Sequence, residues 1–413
     1  MAIDQAIAEK SDEQRLKRLN YFNFLSPEQK QQIFYLPPTE EPLNADKVTL
    51  SHALGATLYM PGNSTEAISK VINYEIPGLI SCVLCLEDAV DDRDVLDAER
   101  NLAQLLVPLQ ATTVKGSQPP YVFIRVRSID QFKRLTQTLG PSLEAITGFV
   151  FPKFDAVTGW EYFEHLVEIN KWCAKTIYGM PILESPPAIY LESRFEYLIK
   201  VKELLDKYKS WVLNVRIGAT DLSGVYGLRR GPELTIYDIG VIRDFISLLV
   251  NVFGRPQDGY VISGPVWEYF SAGPRVLKPQ LRQSPFRERY GSEGKKVRQN
   301  LLGRYLDGLI REVMLDKANG IIGKTVIHPS HILPVQSLYT VTHEEYCDAK
   351  DVLANGGNGG VTKSVYNNKM NEPKPHVNWA QKVMTLAKIY GVLKEDHDYT
   401  SIIYEGDKLS STG

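Results

Sequence analysis

Residues 178–187 read YGMPILESPP. A short apolar run over 180–183 ends on a carboxylate, Glu184, and two prolines follow at once. The run reads as a buried strand, because apolar residues in succession cover both faces and prolines cannot continue a central strand. A lone acid there would pass for a loop residue facing water. What decides the reading is whether other strands in the chain end the same way.

Short β-prone runs of this kind recur, each bounded by Gly, Pro or Asp. They are TLYM (57–60), LISCVLCL (79–86), YVFIRV (121–126), GFVF (148–151), MPIL (180–183), WVLNVRI (211–217), GYVI (259–262) and KTVI (324–327). Between most of them lie stretches with apolar residues at helical spacing, over 64–76 (capped by Ser64), 159–175, 192–208 and 235–253. Strand–helix alternation implies parallel strands joined by right-handed crossovers. Eight such units fit an α/β fold of the (β/α)8 TIM-barrel type. The competing open, doubly wound sheet loses its nucleotide-binding versions, since no GxGxxG or GxxxxGK[ST] follows an early strand.

The barrel is expected over 51–342. Residues 1–50 form an N-terminal extension, in which SPEQKQQIF predicts a helix with Ser26 as N-cap, Pro27 at N1 and Gln29 closing a capping box; PPTEEP (37–42) is a linker. Residues 271–299 are basic and rich in Pro and Gly, and read as a late insertion, a loop or lid, before a helix over 300–318. Residues 343–413 form a C-terminal helical tail, with a flexible NGGNGG (355–360), an amphipathic helix near 377–391 and a loose end.

The chain has 413 residues, 43% hydrophobic and 23% charged, enough for a sizeable core. With 47 Lys+Arg against 49 Asp+Glu the net charge is −2, which argues against nucleic acid or an anionic membrane as partner. No apolar run approaches the ~20 residues that span a bilayer, and the polar N-terminus lacks the apolar stretch of a signal peptide. Cys82 and Cys85 form a CxxC pattern, but residues three apart on a strand point to opposite faces. With Cys173 and Cys347 unpaired as well, a reduced, cytoplasmic protein is expected.

In such a barrel the chemistry lies at the C-terminal ends of the strands. The second run is followed by Glu87 and Asp88, the third ends in Arg125 and Arg127, and the fourth is followed by Lys153. The fifth ends at Glu184, the sixth leads into GATDLSG with Asp221, and the eighth ends in His328. Stability alone gives no reason to place ionisable groups at successive strand exits. Glu184 and Asp221, on neighbouring strands, suit a hard divalent cation such as Mg²⁺, which takes one or two protein carboxylates and fills its other positions with water and substrate oxygens. Arg125 suits a substrate carboxylate. Gly218, Ala219 and Thr220, before Asp221, let backbone N–H groups approach an anion. Together these point to a 2-oxo acid, with the cation polarising the C–O bond beside the bond that is made or broken.

The motifs LYMPGN, CLEDAV, IRVR, FPK, ILES, IGATDLSG, GLRRGPEL and GKTVIHPSHI, in that order from about 52 to 335, resemble the citrate lyase beta-subunit-like family of the HpcH/HpaI aldolase superfamily. The resemblance implies a Mg²⁺-dependent TIM-barrel C–C lyase acting next to a 2-oxo acid of the oxaloacetate, pyruvate or glyoxylate class, citryl-CoA lyase-like, often with an acyl-CoA thioester as the other fragment. By position Glu184 and Asp221 match its metal ligands and Arg125 its carboxylate-binding arginine. Glu87 and Asp88 match its acidic pair near the metal water, and Lys153 its strand-end lysine. It also implies a homo-oligomer, as a trimer. The chain departs from the family at Ser185-Pro186-Pro187, at Arg127, and in KMNEPKPH (369–376), where Glu372 stands in for a C-terminal acid that is catalytic in some members. These departures lie where the acyl partner would bind, so the use of CoA stays open.

Other readings are weighed beside this one. His328 and His331, three apart, are a weak metal pair. Arg229 and Arg230 suit a phosphate group or CoA, or equally a solvated face. A glycosidase would use two strand-end carboxylates, but Arg125 and Lys153 beside them fit it poorly. A barrel that binds a metabolite or partner without turnover is the non-enzymatic alternative.

Overall fold

The computed structural model describes residues 19–39, 46–114, 119–270, 285–303, 305–355 and 360–410. Eight parallel strands follow one another around a barrel in chain order. They are β1 (Ala56–Pro61), β2 (Ser81–Cys85), β3 (Tyr121–Arg125), β4 (Gly148–Phe151), β5 (Tyr178–Leu183), β6 (Val215–Ile217), β7 (Ile262–Ser263) and β8 (Lys324–Val326). β8 pairs with β1, and a parallel bridge between Gly264 and Lys324 closes the ring between β7 and β8.

Every residue of β2, β3 and β4 is buried. This is the expected state of strands covered inside by barrel side chains and outside by helices. The crossover helices present their apolar stripes inward. In the helix Ile129–Leu139, for example, Phe132, Leu135 and Leu139 are buried, and Ser128 caps its first turn through Gln131 N. Register carries the exits to one rim: Cys85 lies opposite Arg125, Phe151 opposite Pro181, and Leu183 opposite Ile217.

The N-terminal segment and the tail hold each other. Phe34–Leu36 pairs antiparallel with Val392–Leu393, and the Tyr21 and Tyr390 hydroxyls donate to the carbonyls of Ala53 and His52, each at 2.8 Å. The Ser26 capping box is present in both directions, with Gln29 N donating to Ser26 Oγ at 3.2 Å and Ser26 N to Gln29 Oε1 at 2.8 Å.

Three expectations need correction. The stretch from 285 is helix, Pro285–Gly303, interrupted at Gly291 (φ 55°); the rest of the predicted lid, 271–284, lies outside the described residues. The helix expected over 300–318 is the end of that one and a second, Leu306–Ala318, separated by Tyr305 in the left-handed region (φ 57°). The expected loose end is a helix, Tyr399–Ser410, whose Ile402 and Ile403 are buried. It meets Pro285–Gly303 through stacked Tyr290 and Tyr404 rings 4.1 Å apart, so two segments that look polar alone acquire a core together. The centre of NGGNGG, 356–359, and residues 40–42 of the predicted linker are outside the described residues. No helix among the described residues is long and apolar enough to cross a membrane.

Candidate active site

The strand exits surround a cavity of about 330 Å³ at the C-terminal rim, lined by Asp88, Arg125, Glu184, Arg216, Gly218 and Asp221 among others. At its centre is Arg125, the last residue of β3 and 6% exposed. Its guanidinium gathers three carboxylates: Glu87 at 2.7 Å, Asp88 at 2.8 Å and Glu184 at 3.2 Å. Lys153 closes the ring by donating from Nζ to Glu87 at 2.5 Å and lying 3.7 Å from Asp221. Its backbone is left-handed (φ 47°). That is a costly state for a residue with a Cβ, and here its N–H is turned to donate to Glu184 Oε1 at 2.9 Å. Thus Glu87, Asp88, Arg125, Lys153, Glu184 and Asp221, predicted from five different motifs, are brought together.

Glu184 is 3% exposed. Burial pushes its carboxyl up to about 7; Arg125 works against that rise, and the charge of nearby Asp221 adds to it. Glu87 is also raised, first by burial. Asp88, half-open at the rim, is held below the usual carboxylate range: its partial burial works the other way, and its hydrogen bond with Glu87 and the charge of Arg125 prevail. Arg125 is raised despite burial by Glu184 and Glu87.

Gly218, just after β6, makes the close approach possible. A Cβ there would stand 2.1 Å from Glu184 Oε2 and 2.3 Å from Glu184 Cβ. Ala219 and Asp221 follow on the short helix Ala219–Val225, and the Thr220 hydroxyl donates to Glu268 at 3.1 Å. Among the described residues no three His, Cys, Asp or Glu side chains converge as a ready-made metal cluster. Two oxygen donors on an open cavity wall nevertheless fit a cation that draws its remaining ligands from substrate and water. The four carboxylates also outnumber the two cations set among them, and the site thereby favours added positive charge.

Other candidates fall elsewhere. Glu372 is exposed, at the start of the helix Pro373–Tyr390, and does not line the cavity of its own chain. Arg230 is neither solvated nor a ligand site. It is buried, stacked 4.8 Å over Trp267, and paired with Glu312 and, at 2.8 Å, Glu268. Glu312 and Asp316 also hold Lys324, at 2.9 and 2.7 Å, in a fully buried cluster. His331 is buried, kept down to about 4 by that burial, and its Nε2 meets Tyr269 O at 3.1 Å. His328 bonds Ser330 and stacks on Phe270, so the two imidazoles do not share a metal. Arg127 braces the loop after β2, donating to the carbonyls of Glu87 and Val90 at 2.9 and 2.7 Å. Among the cavity residues that strand-end reading does not reach are Tyr59, Cys85, Arg216 and Thr325. For Arg216 a signal exists, a charge inside the otherwise apolar end of WVLNVRI.

A model of the C–C bond lyases of the TIM-barrel fold matches residues 48–392. The chain belongs to that family. The match spans all eight strands of this C–C bond lyase and agrees with the motif-level resemblance. Among solved structures, a citrate lyase from Burkholderia xenovorans LB400 is similar at 14% identity with a TM-score of 0.57, covering 84% of this chain and 96% of its own. Protein CitE from Mycobacterium tuberculosis, in complex with magnesium, acetoacetate and coenzyme A, is similar at 17% identity with a TM-score of 0.48, covering 82% of this chain and 99% of its own. At these identities the first likeness concerns the fold. A search of curated proteins finds no match to the chain.

Proposed function

We propose that this C–C bond lyase is Mg²⁺-dependent and cleaves or forms the bond next to the carbonyl carbon of a 2-oxo acid. The observation that carries the reading is the buried Glu184 carboxylate, cradled by Gly218 and set beside Asp221 and Arg125 on one cavity wall. Glu184 and Asp221 would hold the cation, which when bound supplies Lewis-acid polarisation of the keto oxygen and an anchor for the adjoining carboxylate.

The chain's own residues supply the rest. Arg125 fixes Glu87, Asp88 and Glu184 and presents positive charge to the oxo acid. Gly218, Ala219 and Thr220 line the same cavity as Asp88. In the cleavage direction a base takes the hydroxyl proton and the carbonyl forms. The C–C electron pair leaves with the other fragment as an enolate, which is then protonated. Asp88, ionised and at the rim, is placed to accept a proton directly or through water, while Lys153 sits between Glu87 and Asp221 as a proton donor. A role for Glu372 requires a second copy of the chain, in keeping with the expected homo-oligomer. The departing fragment is a free acid or an acyl-CoA thioester, and the citryl-CoA lyase-like reaction is the specific form proposed.

The test is a screen of 2-hydroxy and 3-hydroxy acids, free and as CoA thioesters, for release of a 2-oxo acid. Turnover is expected to vanish with EDTA, return with Mg²⁺ and be lost in Glu184→Gln. Turnover that ignores EDTA would reject the mechanism.

A further inference from the structure

Every cation at the rim described so far has its negative partner. Arg216 has none. It lies on β6, two residues before Gly218, and is 1% exposed. Its Nη2 donates to Thr325 Oγ1 at 2.8 Å, Nη1 lies 3.8 Å from Met180 Sδ, and its guanidinium carbon is 5.6 Å from the Tyr59 ring centre. Its buried Nε–H has no hydrogen-bond partner, and among the described residues no carboxylate forms an ion pair with it. A buried guanidinium whose hydrogen-bond partners among the described residues are a hydroxyl and a thioether is poorly compensated. The other buried cations of the barrel show what compensation looks like: Lys324 and Arg230 each contact two carboxylates.

Arg216 also lines the same cavity as Arg125 and Glu184. Its register partner is Ile182, which places its Cα two residues deeper than the Glu184–Gly218 level. At strand rise that is about 6.6 Å toward the barrel floor. Arg216 therefore lines this cavity from below the level of Glu184 and Gly218.

We propose that Arg216 is the specificity-determining anchor for a second carboxylate, so that the oxo acid handled here is a dicarboxylic one rather than pyruvate or glyoxylate. The proposal rests on the oxo-acid reading above and names the substrate class of that site. The ligand carboxylate supplies the missing counter-charge, with Thr325 and Tyr59, which line the same cavity, as neighbouring polar residues. Arg125, already surrounded by three acids, keeps its place at the keto end.

The experiment compares freshly prepared oxaloacetate with pyruvate, which differ by one carboxylate. Both are titrated calorimetrically, with Mg²⁺ present, into wild type, Arg216→Met, Arg216→Lys and Glu184→Gln. Wild type is expected to favour oxaloacetate. Arg216→Met should weaken oxaloacetate by about tenfold or more, the usual worth of a charge-assisted hydrogen bond, leave pyruvate within about twofold, and be partly rescued by Arg216→Lys. Removing a poorly paired buried charge should not unfold the barrel, and pyruvate binding by Arg216→Met reports that it is folded. Equal wild-type affinities for the two acids, or equal losses of both in Arg216→Met, would overturn the proposal while leaving the oxo-acid reading in place, provided Glu184→Gln still abolishes pyruvate binding. Failure of wild type to bind either acid would overturn both.

Discussion

Replacing Gly218 by alanine adds a single methyl group where the structure has no room for one. The new Cβ would meet Glu184 Oε2 at 2.1 Å and Glu184 Cβ at 2.3 Å. A carboxylate oxygen can swing away, but Cβ cannot, and unstrained carbons approach to about 3.5–4.0 Å. The exits of β5 and β6 must therefore separate by more than about 1 Å. Gly218 has φ −95° and ψ 68°, outside the left-handed region, so the penalty is one of contact and not of backbone conformation. Overpacking of this kind costs about 1–3 kcal/mol. Because Glu184 also receives Lys153 N–H and Arg125, the displacement spreads through the charge ring. Urea denaturation should show a stability loss in that range, and Mg²⁺ titration a tenfold or greater loss of affinity, about 1.4 kcal/mol. Wild-type stability together with wild-type Mg²⁺ affinity would refute the reasoning, because the close approach to Glu184 would then serve neither packing nor the cation.

A cation must displace the proton that burial holds on Glu184 up to about 7. Apparent Mg²⁺ affinity should therefore rise about tenfold between pH 6 and pH 8 and level off above, as isothermal titration across pH would record. Without the cation the sign reverses: the folded value lies above the ordinary 4.5, so the stabilising contribution of this proton is full below about 4.5 and is lost as pH rises through about 7. Denaturation at pH 5 and pH 8 in EDTA tests that sign. Lys324→Met leaves Glu312 and Asp316 buried without their shared cation and should cost about 3–5 kcal/mol, while sparing Mg²⁺ binding if the protein is held folded at low temperature. Ser26→Ala removes one half of the capping box and should lower stability by about 1 kcal/mol without touching the site.

Much of this architecture is legible in the sequence for a physical reason. Parallel strands buried on both faces must be apolar throughout, so each run stands out, and its exit can be read for polar residues. That locates Glu87, Arg125, Lys153, Glu184 and Asp221. It does not locate Arg216, which faces inward from mid-strand, because a strand's period of two does not say which face is inside when both faces are buried. The helix over 285–303 and the final helix are misread for a different reason: their cores are made by each other, through contacts such as Tyr290 with Tyr404, and neither stripe is strong alone. Arg230 looks like a surface charge in the local run GLRRGP, since its partners Glu312 and Glu268 are far away in sequence.

The central claim is that Glu184 and Asp221 share a divalent cation at the barrel mouth. Crystals soaked in Mn²⁺ and measured at the manganese edge test it most directly. The account predicts one anomalous peak within about 2.5 Å of a carboxylate oxygen from each residue, absent in Glu184→Gln. A peak elsewhere, or one that survives that substitution unchanged, would contradict it.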